Sequence, residues 1–196
     1  VRSAPAAHQV HLWRASLDAP TQQAAQFAAT LSEAEMRRVA RLRRPVDRAR
    51  YAVARGWLRQ LLATYVDVDP SSLVFESGAH GKPRLEHPRT GWLRFNMSHS
   101  AAVMTIAVAC DRAVGVDVEH LRDDVDVDGV ARRYFTRGQR GELAVLDPAD
   151  RTRAFFTLWT RHEAYLKATG TGLVVAGNAT APPGWTLAGF DAGTGY

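Results

Sequence analysis

The sequence predicts an α+β fold, and three features carry that expectation. Over residues 46–65 the apolar positions Ala49, Val53, Trp57, Leu61 and Leu62 keep helical spacing. Short apolar runs at 10–17, 93–97 and 101–110 have the length and patterning of strands. Helices followed by strands recur in the second half of the chain, which points to two related lobes, residues 1–100 and 101–196.

Each element has its own local signal. Residues 10–17 (VHLWRASL) read as a first strand. Ser32 with Glu35 three residues later has capping-box spacing and opens a helix to residue 42, which Pro45 separates from the longer helix 46–65. Asp69-Pro70-Ser71-Ser72 is a turn or helix start, 73–76 a short strand, and 77–83 (SGAHGKP) a glycine-containing loop. Strands at 93–97 and 101–110 flank a polar corner, Ser98-His99-Ser100. Residues 114–119 form a further strand that pairs with 101–110 as a hairpin through Asp111-Arg112. Residues 127–134 are helical, Thr136 caps a helix through 143, and a long helix over 150–168 stops at Gly170. The acidic run 122–128 is a solvated loop, and 185–190 is a strand after Pro182-Pro183-Gly184.

The chain has 196 residues, 46 % of them apolar, enough for a substantial core. No apolar run approaches the roughly 18 residues of a membrane span, and residues 1–9 lack the features of a secretory signal. The single cysteine, Cys110, excludes a disulfide within the chain and fits a reducing, cytoplasmic setting. Net charge is +5, with arginines dense between Arg37 and Arg59. That balance fits an anionic partner, whether nucleic acid, a phosphorylated cofactor or an acidic protein, and equally a solvated helix face.

Four short stretches carry side chains capable of chemistry. In GVDVE (115–119), strand alternation puts Val116 and Val118 on one face and Asp117 and Glu119 on the other, about 7 Å apart. Two such carboxylates suit magnesium, manganese or calcium, or simply form the wet side of a strand end. Glu163 and Lys167 lie four apart on a helix face, the spacing of a surface ion pair. Ser98 and His99 stand at a strand terminus where a phosphate can be met, although adjacent strand residues point apart and cannot form a nucleophile–base pair. Gly81-Lys82-Pro83 is not a phosphate-binding P-loop, since residue 76 is Glu and no Ser or Thr follows Lys82.

Taken in order, GKP, FNMSHS, GVDVE and WTRHEAYLKATGTGL resemble the 4′-phosphopantetheinyl transferase superfamily, in particular its Sfp-type branch, from about residue 31 to residue 173. The resemblance implies two similar α+β lobes with the active site between them. It implies transfer of phosphopantetheine from coenzyme A to a serine of an acyl or peptidyl carrier protein, with release of adenosine 3′,5′-bisphosphate. By the same resemblance Asp117, Glu119 and Glu163 are ligands of Mg2+ (or Mn2+), Glu163 doubling as base, and Lys167 faces the pyrophosphate. Ser98 and His99 contact phosphate, Gly81, Lys82 and Pro83 lie along the nucleotide, and Arg50, assisted by Arg38, meets the 3′-phosphate. His162 stands where the family pattern has a lysine, which makes a pyrophosphate contact there weaker or pH-dependent. The expected partners are coenzyme A and an apo carrier protein, with no nucleic acid or membrane, for a monomeric cytoplasmic enzyme. Competing readings are another magnesium-dependent phosphotransferase or hydrolase, a non-catalytic coenzyme A binder, and a nucleic-acid-binding module built on the arginine-rich helices.

Overall fold

The computed structural model describes residues 2–78, 81–86, 91–171 and 183–196. The first part of the chain lays β1 (Val10–Ser16), α1 (Thr21–Ala28), α2 (Glu33–Arg41) and α3 (Pro45–Val66) before two hairpins. These are β2 (Val74–Ser77) with β3 (Pro83–Glu86), and β4 (Leu93–Ser100) with β5 (Val103–Cys110). The remainder holds α4 (Val127–Tyr134), α5 (Arg137–Ala144) and α6 (Pro148–Thr169). The mixture of helix and sheet is the α+β class expected.

Local chemistry sets the helix ends. Ser32 and Glu35 form the reciprocal capping box at the start of α2, as their spacing predicts. Pro45 and Pro148 each open a helix where a missing N–H does no harm. Gly170, at φ 70°, ends α6 in the left-handed conformation that glycine adopts without strain.

One antiparallel sheet has the order β1-β5-β4. Met104, Ile106 and Val108 of β5 and Phe95 of β4 meet Val53, Leu58, Leu61 and Leu62 of α3 in the main core. A second apolar cluster joins Phe135, Leu143, Phe155 and Phe156 across α4, α5 and α6.

Several expectations are corrected. Residues 114–119 do not pair with β5, because β1 and β4 already occupy both of its edges. The valines still turn inward: Val114 and Val116 pack on Ala107 and Ala109, and Val118 on Val103. Ser98-His99-Ser100 is not a corner but the end of β4, and the chain reverses at Ala101-Ala102 with Ala101 at φ 48°. Helix α1 was not anticipated, having no side-chain cap and only Phe27 buried. Residues 185–190 form no strand, and the regular elements among the described residues after 110 are helices, so no described sheet there matches the β1-β5-β4 sheet. Residues 79 and 80 of the SGAHGKP loop, and Gly172, Leu173 and Pro182, lie outside the described residues.

Candidate active site

Residues 114–119 run between α6 and the outward face of β4 and β5. Gly115 makes this possible. A Cβ there would lie 1.9 Å from the carbonyl oxygen of Ala164 and 2.6 Å from the nitrogen of Ala168, both backbone atoms of α6. Along the other side, alternate residues of β4 hold the segment. Asn96 Oδ1 accepts from the Val116 N–H at 2.8 Å, and Ser98 Oγ donates to Asp117 Oδ1 at 2.7 Å.

The strand and the helix then meet through charge. Lys167 Nζ donates to Asp117 Oδ1 at 2.6 Å and to Ser98 Oγ at 2.8 Å. Asp117 is buried, whereas Lys167 keeps part of its side chain in solvent. Glu163, one turn earlier on α6, has its pKa pushed up. Burial is the main cause; Lys167 opposes it, and the charges of Asp117 and Glu119 add to it. Glu119 itself accepts from Ser100 Oγ at 2.8 Å.

Whether this set suits a cation can be judged from its oxygens. Asp117 Oδ2 and Glu163 Oε1 are buried without a hydrogen-bond partner. Two carboxylate oxygens in that condition are unfavourable alone and favourable beside a cation. Among the described residues, no three His, Cys, Asp or Glu side chains are gathered into a ready metal cluster. The donor chemistry fits a hard divalent ion, with Asp117 and Glu163 poised and Glu119 tied to Ser100.

The other candidate residues divide into neighbours of this cluster and residues with different engagements. His99, next to Ser98, is open to solvent but crowded by protein. That crowding, with the nearby Lys167 cation, pushes its pKa down, while Glu119 opposes the shift. Lys82 adjoins the site through backbone oxygens. Its Nζ donates to the carbonyls of Val114 at 3.1 Å and Ala168 at 3.0 Å, clamping the start of the carboxylate segment to the end of α6. Burial pushes its pKa down. Gly81 precedes it at φ 78°, and Pro83 opens β3.

His162 packs into the interior rather than toward the carboxylates. It is 3 % exposed, lies beside the rings of Tyr134 and Trp159, and neither ring nitrogen has a partner. Adjacent helix residues point about 100° apart, so Glu163 faces the carboxylates while His162 joins the aromatic cluster of α4 and α6. Arg50 pairs with Asp18 at 2.8 Å, and Arg38 is exposed in the last turn of α2. Among the described residues, no hydrogen bond or ion pair joins either to Asp117, Glu119 or Glu163.

Sequence reasoning passed over Asn96 and Ser100. Their signal was the period-two run of polar residues at 96, 98 and 100, interleaved with apolar Phe95 and Met97 at its start.

Comparison with known proteins bears on the whole arrangement. A family model described as 4′-phosphopantetheinyl transferase, N-terminal, matches residues 13–111. A second, described as the 4′-phosphopantetheinyl transferase superfamily, matches residues 113–183. The 4′-phosphopantetheinyl transferase HetI of a Nostoc species is 40 % identical over 166 residues, covering 84 % of this chain and 70 % of that protein. A putative 4′-phosphopantetheinyl transferase of a Synechocystis species is 35 % identical over 167 residues, with 84 % and 66 % covered. The 4′-phosphopantetheinyl transferase Sfp of Bacillus subtilis is 27 % identical over 116 residues, with 59 % and 50 % covered. The two family models meet at Arg112, just before the segment that brings Asp117 to α6, and with HetI aligned over most of both lengths the chain belongs to the 4′-phosphopantetheinyl transferase superfamily.

Proposed function

We propose that this chain transfers 4′-phosphopantetheine from coenzyme A to a serine hydroxyl of an acyl or peptidyl carrier protein. The observation that supports the reading best is the convergence of Ser98, Asp117, Glu163 and Lys167 from a strand, an unpaired segment and a helix onto one buried carboxylate cluster. In the reaction the carrier serine oxygen bonds to the β-phosphorus of coenzyme A. The bond from that phosphorus to the bridging oxygen breaks, and adenosine 3′,5′-bisphosphate leaves with the electron pair.

Each residue has work that follows from its surroundings. Glu163 is a stronger base than an ordinary carboxylate, because burial and the neighbouring Asp117 and Glu119 disfavour its charge. It would take the serine proton, directly or through a water. Lys167 carries an ammonium into a site partly screened from water and can stabilise the charge on the departing phosphate. Ser98 orients both partners by donating to Asp117 and accepting from Lys167. Asp117, Glu163 and Glu119 would hold Mg2+, which when bound neutralises pyrophosphate oxygens and sharpens the electrophilicity of phosphorus. His99 lies open at the edge of this cluster and is placed to meet a phosphate of coenzyme A. The exposed arginines of α2 and α3 supply a positive field for an acidic carrier surface.

The test is incubation of an apo carrier panel with coenzyme A, Mg2+ and either the wild-type chain or Asp117→Ala, read by intact-protein mass. We expect the wild type to add one phosphopantetheine per carrier and Asp117→Ala to add essentially none, with its helical signal retained. Equal labelling by the variant overturns the role of the carboxylate cluster.

A further inference from the structure

Among the described residues, 114–119 have no sheet partner, so no backbone ladder among them fixes where the carboxylates of Asp117 and Glu119 stand. Side chains of β4 take the place of a ladder. Asn96 holds Val116, Ser98 holds Asp117, and Ser100 holds both Glu119 and His120. The sequence offsets of these contacts are 20, 19, 19 and 20, so the segment runs beside β4 almost residue for residue in the same direction. Asn96 and Ser98 are buried on this face, where alanine or valine would pack without needing any partner. Among the described residues, their side-chain hydrogen bonds go to the carboxylate segment and to Lys167.

Ser100 makes the most specific of these contacts. Its hydroxyl accepts from the His120 N–H at 3.1 Å and donates to Glu119 Oε2 at 2.8 Å. Both the donor and the acceptor capacity of the group are therefore used on consecutive residues. The carboxylate is held against its own backbone, and its rotation is restricted before any cation or substrate arrives. Partners that orient a ligand in this way typically change metal affinity by about 10–100-fold when removed.

We infer that Ser100 is a positioning residue, which sets the Glu119 carboxylate for divalent cation binding through a hydroxyl bridge to the backbone of His120. This rests on the reading of Asp117, Glu119 and Glu163 as the metal-holding set. It assigns Ser100 a role apart from Ser98, whose hydroxyl bridges Asp117 and Lys167.

The experiment compares Ser100→Thr with Ser100→Val in the full chain. The two replacements have the same shape and strand preference, and only threonine keeps the hydroxyl. Mn2+ binding is titrated directly by electron spin resonance, melting temperature is recorded without metal, and Asp117→Ala serves as the reference for loss of the site. We expect Ser100→Thr to bind Mn2+ within about threefold of wild type and Ser100→Val to bind about tenfold more weakly. The melting temperatures of the pair should agree within a few degrees. If Asp117→Ala loses Mn2+ while both Ser100 variants bind as wild type, or both lose it equally, the role of Ser100 is refuted and the metal site stands. If Asp117→Ala also binds Mn2+ normally, the metal-site reading fails and this inference with it.

Discussion

Replacing Gly115 by alanine tests the packing on which the site depends. The added methyl would sit 1.9 Å from the Ala164 carbonyl oxygen and 2.6 Å from the Ala168 nitrogen. Neither atom can rotate aside, because both belong to the backbone of α6. Restoring the nearer contact to 3.0 Å, about the shortest that Cβ atoms show, requires a retreat of about 1.1 Å. Gly115 and Asp117 both turn toward α6, so the retreat passes to the carboxylate. The 2.6 Å bond between Asp117 and Lys167 would open to about 3.7 Å, beyond hydrogen-bond reach.

Two magnitudes follow. Overpacking of this kind costs about 1–3 kcal/mol, or a melting-temperature loss of about 2–12 °C for a chain of this length. A displacement of 1 Å in a catalytic group can lower a rate by about 100-fold. The assay is steady-state transfer to an apo carrier at a temperature where circular dichroism shows both proteins folded. We expect kcat of Gly115→Ala to fall about 100-fold with only the modest loss of melting temperature. An unchanged kcat alongside a lowered melting temperature would mean that α6 yields and Asp117 stays in place, which refutes the argument.

Two further outcomes are expected. Glu35 bonds Arg55 at 2.6 Å and the buried Arg59 at 2.7 Å, so Glu35→Ala strands a buried guanidinium and should destabilise the chain by about 3–5 kcal/mol. Burial works to raise the Glu35 pKa, but the Ser32 N–H, Arg55 and Arg59 outweigh it and hold the carboxyl below its ordinary 4.5. Its contribution is therefore present above pH 4.5 and lost as pH falls through the lower folded value. Thermal melts should show the gap between wild type and variant closing in acid, and a constant gap down to about pH 3 would contradict this. Lys82→Met should lose about 1.5–3 kcal/mol through its two charged bonds to carbonyls, and Lys82→Arg should not restore it in chemical denaturation.

What could be read in advance depended on how local its cause was. The Ser32–Glu35 cap, the Pro45 break and the Gly170 stop are settled within a few residues and stood as expected. The valines of 114–118 were correctly read as buried, yet alternation reports which side chains turn inward and not whether a neighbouring edge is free. That edge was taken by β1, more than 80 residues earlier in the chain. Helix α1 escaped because α3 packing, rather than a cap or a strong apolar stripe, supports it. The ordered motifs singled out Asp117, Glu163 and Lys167, which the fold brings together, but they did not foretell that Lys82 would meet two backbone carbonyls or that His162 would lie among aromatic rings. A motif names a residue type; only tertiary packing decides whether the side chain reaches a ligand, a carbonyl or an aromatic cluster.

The use of lysine sharpens this point. The chain has 23 arginines and only two lysines, Lys82 and Lys167. Both lysines reach the contact between residues 114–117 and α6, and each spans two oxygens with one nitrogen. A guanidinium is a wide planar fork suited to flat bidentate partners, while an ammonium is a compact charge with three rotatable donors. At Lys82 the two carbonyls come from different segments and converge on a point. At Lys167 a hydroxyl and a carboxylate do the same. The preference for lysine at these two positions in an otherwise arginine-rich chain is thus explained by geometry rather than charge. It places Lys82 with Gly115 as a means of docking the carboxylate segment onto α6, and Lys167 as the cation that joins the docked segment to Ser98 of β4.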